Sequence, residues 1–224
     1  MKRLFLLSII ALLALDVNAE PASQIAWTPE TLARVKAGDI NKGKTLAESC
    51  KSCHGAQGEG MKAQTADGDT IPGVPALAGQ VANYTYKQLR DYYNGSRTNA
   101  TMNAIAKGLS EEDAAGLAVW FSSLPAPKAT ASSQNLDKAQ KLAEHGDGKR
   151  ILPPCFVCHG SNGQGEKMDL PALAGQQADY FAETLLAYKK GERHNDVYSR
   201  MRLIAQQLSE AEVKELAQYY QQLK

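Results

Sequence analysis

The chain has 224 residues, 43 % of them apolar, and 25 Lys and Arg stand against 24 Asp and Glu. That near-neutral balance excludes the basic excess of a nucleic-acid-binding protein. Beyond one short run at the start, no apolar stretch is long enough for a transmembrane helix. Helix formers and charges dominate and β-branched runs are scarce, so an all-α class is expected.

The chain opens with Lys2 and Arg3, then an apolar run from Leu4 to Leu15 broken only by Ser8, then Val17-Asn18-Ala19. This reads as an export signal, residues 1–19, cleaved after Ala19. The run of about twelve residues is short for about 30 Å of hydrocarbon. Removing Lys2, Arg3 and Asp16 with it leaves 23 basic and 23 acidic residues. Residues 20–38 form an extension that contains Trp27. Within it, 28–37 reads as a short helix with Thr28 as cap and Pro29 in the first turn.

The remainder is written twice. Pro75-Ala76-Leu77-Ala78-Gly79-Gln80 returns unchanged as Pro171-Ala172-Leu173-Ala174-Gly175-Gln176, 96 positions on. The same offset pairs Tyr84 with Tyr180, Leu89 with Leu185, Tyr92 with Tyr188, Gly95 with Gly191 and Arg97 with Arg193. Leu109-Ser110-Glu111 matches Leu208-Ser209-Glu210. This is a tandem duplication with loop-length changes. Pro125-Ala126-Pro127 and Thr130-Ala131-Ser132-Ser133 mark a linker, placed at 126–135. Each half is expected to carry three main helices. The first spans 39–50 or 136–145. The second spans 81–94 or 177–190, ending at Gly95 or Gly191. The third starts at Ser110 or Ser209, each followed three residues later by an acid in a capping arrangement. The Gly-rich stretch from Cys50 to Pro75 reads as a loop.

The four cysteines stand as Cys50-Lys51-Ser52-Cys53-His54 and Cys155-Phe156-Val157-Cys158-His159. Two thiols at this spacing add across the vinyl groups of haem as thioethers, and the adjacent His reaches the iron. A redox dithiol or half of a zinc site are the other uses of C-x-x-C. The dithiol belongs after a strand of a βαβ unit, which is absent, and two zinc sites would need eight ligands. Two covalent haems c per chain are therefore expected, with Cys50, Cys53, Cys155 and Cys158 as thioethers and His54 and His159 on iron. A buried macrocycle also supplies apolar area that a small domain poor in aromatics lacks.

Methionine opposite histidine raises a haem potential. Met61 and Met168 follow their histidines too closely in the chain to cross the haem plane and return. Met102 and Met201 lie beyond the second helix at equivalent places in the repeat, after Gly95-Ser96-Arg97 and Gly191-Glu192-Arg193. They are the candidate sixth ligands, with gap-filling core methionines as the alternative. His145 and His194 read as solvated surface residues.

The two C-x-x-C-H-G segments, the P-x-L-A-G-Q strings, the Gly-x-Arg…Met segments and the Leu-Ser-Glu helices resemble the cytochrome c4 family, dihaem class I cytochromes c. The resemblance implies two tandem class I cytochrome c domains, 39–125 and 136–224, each built around one covalent haem and related by an approximate two-fold axis. It implies that His54 and Met102 ligate the first iron and His159 and Met201 the second. By position, Pro75 and Pro171 would supply carbonyls that orient the ligand histidines. Arg97 and Arg193 would lie near propionates or, alternatively, be solvated. Gln64 to Ile71 and residues 20–38 depart from the family pattern. The implied protein is a periplasmic electron carrier, soluble or membrane-associated, and not an enzyme. It would take electrons from a respiratory complex or dehydrogenase and pass them to a terminal oxidase or reductase. A cytochrome subunit of a dehydrogenase, such as a sulfide-oxidising flavoprotein complex, is the alternative. A dihaem peroxidase would need one iron with a displaceable ligand, against which the paired methionines argue.

Overall fold

The computed structural model describes residues 27–66, 68–130, 134–166 and 168–223. The expected export signal and the extension before Trp27 lie outside the described residues.

In the first half, α1 (Pro29–Lys36) starts at Thr28, whose hydroxyl accepts from Thr31 N at 3.2 Å, with Pro29 in the first turn. Helix α2 (Ile40–Ala47) starts at Asp39, whose carboxylate accepts from the backbone N–H groups of Asn41 and Lys42. The stretch expected as a loop instead holds a short helix, α3 (Lys51–His54), and an antiparallel hairpin of β1 (Gln64–Ala66) and β2 (Asp69–Ile71). The hairpin occupies the segment that departs from the family pattern. Then come α4 (Ala82–Asn94), α5 (Ala100–Lys107) and α6 (Glu111–Ser123). Helix α4 ends at Gly95 with φ +84°, and Ser110 and Asp113 form a reciprocal capping box on α6.

The second half repeats this with α7 (Asp137–His145), α8 (Phe156–His159), α9 (Ala178–Lys190), α10 (Arg200–Gln207) and α11 (Glu210–Gln222). Gly191 closes α9 at φ +77°, and Ser209 with Glu212 boxes α11. The sequence expectation of three main helices per half omits α5 and α10. Each has only eight residues and no acid in its first turn. Helix α10 also follows Tyr198 and Ser199, both left-handed at φ +57° and +56°, so it lacks an ordinary cap.

In the first half α6 lies across α1, α2 and α4 and buries Val35, Tyr86, Ala114, Ala115 and Ala118 beside Ala47, Leu117 and Phe121. The crossing with α2 is made at Gly43 and Gly116. A Cβ on Gly116 would stand 2.8 Å from the Asp39 carbonyl oxygen, and one on Gly43 would run into the Gly116 carbonyl. In the second half α11 packs on α7 and α9. There Tyr220 stacks on Phe181 at 5.4 Å, with Phe156 edge-on at 6.5 Å. Alanine, valine, leucine and tyrosine side chains fill the remainder of that core.

The second half has nine more residues than the first between Leu-Ala-Glu (46–48 or 142–144) and its first cysteine, and one arginine pins that stretch. Arg150 Nε donates to Asp147 at 2.8 Å, and its terminal nitrogens donate to both oxygens of Glu212 at 3.0 and 2.7 Å. The guanidinium holds the Glu212 carboxyl down to about 2. A depressed folded-state value contributes stability that is present above the ordinary glutamate range and is lost as pH falls toward 2. Glu212→Gln should therefore flatten the acid limb of the stability curve, read as thermal midpoints at a series of pH values. Gly116→Val should lower the denaturant midpoint with an unchanged slope, by about 2 kcal/mol for an overpacked helix crossing.

Candidate functional site

Each C-x-x-C-H string ends a short helix, and the chain then folds back over it. The Gly60 N–H donates to the His54 carbonyl at 2.7 Å, and the Gly58 carbonyl accepts from Leu77 N and Ala78 N at 2.7 and 3.0 Å. This lays Pro75 across the imidazole, with His54 Nδ1 2.9 Å from the Pro75 carbonyl oxygen. The second half makes the same turns through Gly165 and Gly163, and His159 Nδ1 lies 2.9 Å from the Pro171 oxygen. Glycine is required at 60 and 165. Both have φ +78°, and a Cβ at either would sit 2.6 Å from the backbone nitrogen of Ala76 or Ala172.

A carbonyl oxygen only accepts, so Nδ1 carries the hydrogen in both rings. Both rings are buried, and burial pushes both histidines below their ordinary value, opposed by the proline carbonyls. The rings are thus neutral, with the lone pair on Nε2. None of the four cysteines is in a disulfide. Burial pushes the Cys50 and Cys155 thiols up. Among the described residues no three His, Cys, Asp or Glu side chains group to hold a metal ion, so the zinc alternative finds no third ligand there.

Met102 is the third residue of α5 and Met201 the second of α10, and both are half-buried. Asn99 caps α5 by accepting from the Met102 N–H at 3.0 Å, and Asn103 ties the helix to the Tyr92 and Arg97 carbonyls. In the second half Asp196 accepts from the N–H of Arg202 at 3.0 Å and from its guanidinium at 2.8 Å. Met201 packs against the second-half core. Met61 is held in an isolated bridge with Val74. His145 is exposed, as expected, whereas His194 is half-buried.

The two halves meet through matching residues. Arg97 donates to Tyr180 OH at 2.9 Å, and Arg193 donates to Tyr84 OH at 3.1 Å. Both guanidiniums also reach the side-chain oxygen of Gln88, at 2.8 and 2.9 Å. Each lies 4.6 Å from the ring of its own tyrosine, Tyr92 or Tyr188. The solvated alternative for these arginines is thereby corrected: Arg193 is buried and Arg97 half-buried. Beside them Lys87 donates to Asp91 at 2.5 Å and to the Asn195 carbonyl at 2.6 Å, and the Asn195 amide donates to Asp91 and Gln88.

The family model described as Cytochrome c matches residues 40–125 and 146–224. The cytochrome c4 of Pseudomonas aeruginosa is 33 % identical, over 84 % of this chain and 90 % of its own. The crystal structure of reduced recombinant cytochrome c4 from Pseudomonas stutzeri superposes with a TM-score of 0.75 at 32 % identity, covering 84 % of this chain and all of that one. The chain belongs to the cytochrome c4 family. A protein of Stutzerimonas stutzeri described as thiosulfate dehydrogenase electron acceptor is 38 % identical, over 78 % of each chain.

The residues present fit the two haems c of a cytochrome c4. Each C-x-x-C pair, outside any disulfide, stands beside a neutral imidazole with Nε2 unprotonated. The guanidiniums of Arg97 and Arg193 have no carboxylate partner among the described residues, and Arg193 Nη1 is buried without an acceptor. Burial alone would raise the Tyr180 phenol, yet these two guanidiniums outweigh it and lower it. Such an excess of buried positive charge calls for anions, which haem propionates supply. When bound, haem supplies a one-electron ferric/ferrous couple.

Sequence reasoning missed Gln80, Gln176, Tyr84, Tyr180 and Gln88 as interface residues. The signal for the first two was the unchanged six-residue string in an otherwise diverged repeat. The double variant Cys155→Ser/Cys158→Ser should carry one covalent haem in place of two, counted as pyridine haemochrome per chain.

Proposed function

We propose that this cytochrome c4 is an exported, periplasmic carrier whose irons are held between His54 and Met102 and between His159 and Met201. It accepts electrons from a dehydrogenase or respiratory complex and passes them to a terminal oxidase or reductase, transforming no substrate itself. Pro75 and Pro171 orient the ligand histidines, and Arg97 and Arg193 neutralise propionates. The observation that carries the reading is the likeness of the two sites: the same 2.9 Å histidine-to-proline bond, with a methionine in the first turn of the short helix that follows α4 or α9. An enzyme built on this plan would need one iron left open, and each half carries a methionine in the first turn of its short helix. Among the described residues no helix is long and apolar enough to cross a membrane.

The donor can be named more closely. The 38 % identity to a thiosulfate dehydrogenase electron acceptor favours a dehydrogenase of sulfur oxyanions as the source, rather than a sulfide-oxidising flavoprotein. Two one-electron sites on one chain match the pair of electrons that such an enzyme removes per turnover.

Ferric protein should show the weak charge-transfer band of methionine sulfur on haem iron. Met102→Ala and Met201→Ala should each remove about half of it and introduce a high-spin signal, in line with loss of one axial ligand. A purified thiosulfate dehydrogenase should reduce the chain in stopped flow, while thiosulfate alone leaves it oxidised. Oxidation of thiosulfate by the chain alone would make it an enzyme.

A further inference from the structure

The glutamine that closes each P-A-L-A-G-Q string points into the other half. Gln176 Oε1 accepts from Ala76 N at 2.8 Å, and its Nε2 donates to Ala76 O at 3.1 Å. Gln80 does the same to Ala172, at 2.8 and 3.1 Å. Each side-chain oxygen also accepts from the next backbone N–H, of Gln177 or Val81, at 2.9 Å. Two N–H groups on one side and a carbonyl on the other fix the amide orientation. Both glutamines are buried.

The N–H of Ala76 belongs to the same peptide group as the carbonyl of Pro75. That carbonyl accepts from His54 Nδ1. The chain of bonds therefore runs from Gln176 Oε1 to the Ala76 N–H, through the conjugated peptide to the Pro75 oxygen, and on to the His54 imidazole. In the other direction it runs from Gln80 through Ala172 and Pro171 to His159. A hydrogen bond donated by a peptide N–H draws charge onto its carbonyl oxygen, because resonance links the two ends. A more negative carbonyl pulls harder on Nδ1–H and makes Nε2 a stronger donor, and this favours the ferric state.

We propose that Gln176 is a positioning residue for the first haem and Gln80 for the second, so that each domain tunes the iron of the other. The proposal rests on His54 and His159 being the iron ligands. Its chemistry is confined to hydrogen bonds within one peptide group and one imidazole per site.

The test is a redox titration followed by NMR on the intact dihaem chain, with ring-methyl signals reporting each haem separately. Gln176→Leu should raise the potential of the first haem and leave the second unmoved. A change of about threefold in the reduction equilibrium is about 28 mV at 59 mV per tenfold. Gln80→Leu should do the converse. Gln176→Glu keeps the acceptor and charges it, so it should shift the first haem the opposite way; it also guards against a leucine variant that fails to fold. Equal shifts at both haems, a shift at the wrong haem, or no shift in a variant holding both haems would overturn the proposal. If wild-type protein shows no pair of low-spin one-electron centres, the ligand reading itself has failed; if it does and the glutamine variants are silent, only this inference has.

Discussion

A neutral imidazole has one donor and one acceptor, and in both halves the donor is given to a proline carbonyl. Everything around the site serves that bond. The left-handed glycines at 58 and 60, or 163 and 165, turn the chain back after the C-x-x-C-H helix. The Gly58 and Gly163 carbonyls anchor the returning strand by two backbone bonds each. The outcome is that the hydrogen is fixed on Nδ1 and the lone pair on Nε2. Without the carbonyl, the ring could rotate or present either tautomer.

The same returning strand is also the contact between the halves. A duplicated domain must bury its new surface against its copy, and here that surface includes backbone groups of the returning segment. Backbone groups cannot be left unpaired when buried. The two glutamines satisfy the N–H and C=O of Ala76 and Ala172 reciprocally, and the arginine–tyrosine pairs cross the same boundary close by. Four such crossings bring the Arg97 and Arg193 guanidiniums together, so that positive charge from both halves converges. Uncompensated, that charge would be costly to bury. Carboxylates brought by a bound haem would offset it, which would link docking of the halves to loading of the haems.

The cysteine pairs, their histidines and the duplication were legible because covalent attachment demands fixed spacing. Helix ends were legible where a cap has a side-chain chemistry: Thr28, Ser110 and Ser209 at starts, Gly95 and Gly191 at ends. Helices α5 and α10 were hidden, since eight residues carry little periodicity and Tyr198 and Ser199 enter α10 through left-handed backbone. The hairpin at 64–71 was visible only as an insertion. The destination of Arg97 and Arg193 was open because it depends on which face of one half meets the other, and a single sequence does not encode that contact as a pattern. The unchanged P-A-L-A-G-Q string reads equally as shared ancestry or shared contact, and only geometry separates the two.

The Lys87–Asp91 pair breaks the symmetry. The positions that correspond to these two in α9 are Glu183 and Ala187, and Asn195, which receives the pair, corresponds to Asn99, which caps α5 instead. The halves have therefore ceased to be interchangeable parts. A chain assembled from two second halves would bury a glutamate where a lysine now meets the Asn195 carbonyl, and two first halves would lack that receiving turn. A swap of modules between relatives would have to carry the lysine, the aspartate and the asparagine together. The gene duplication that produced this molecule has, at that one buried contact, become a commitment.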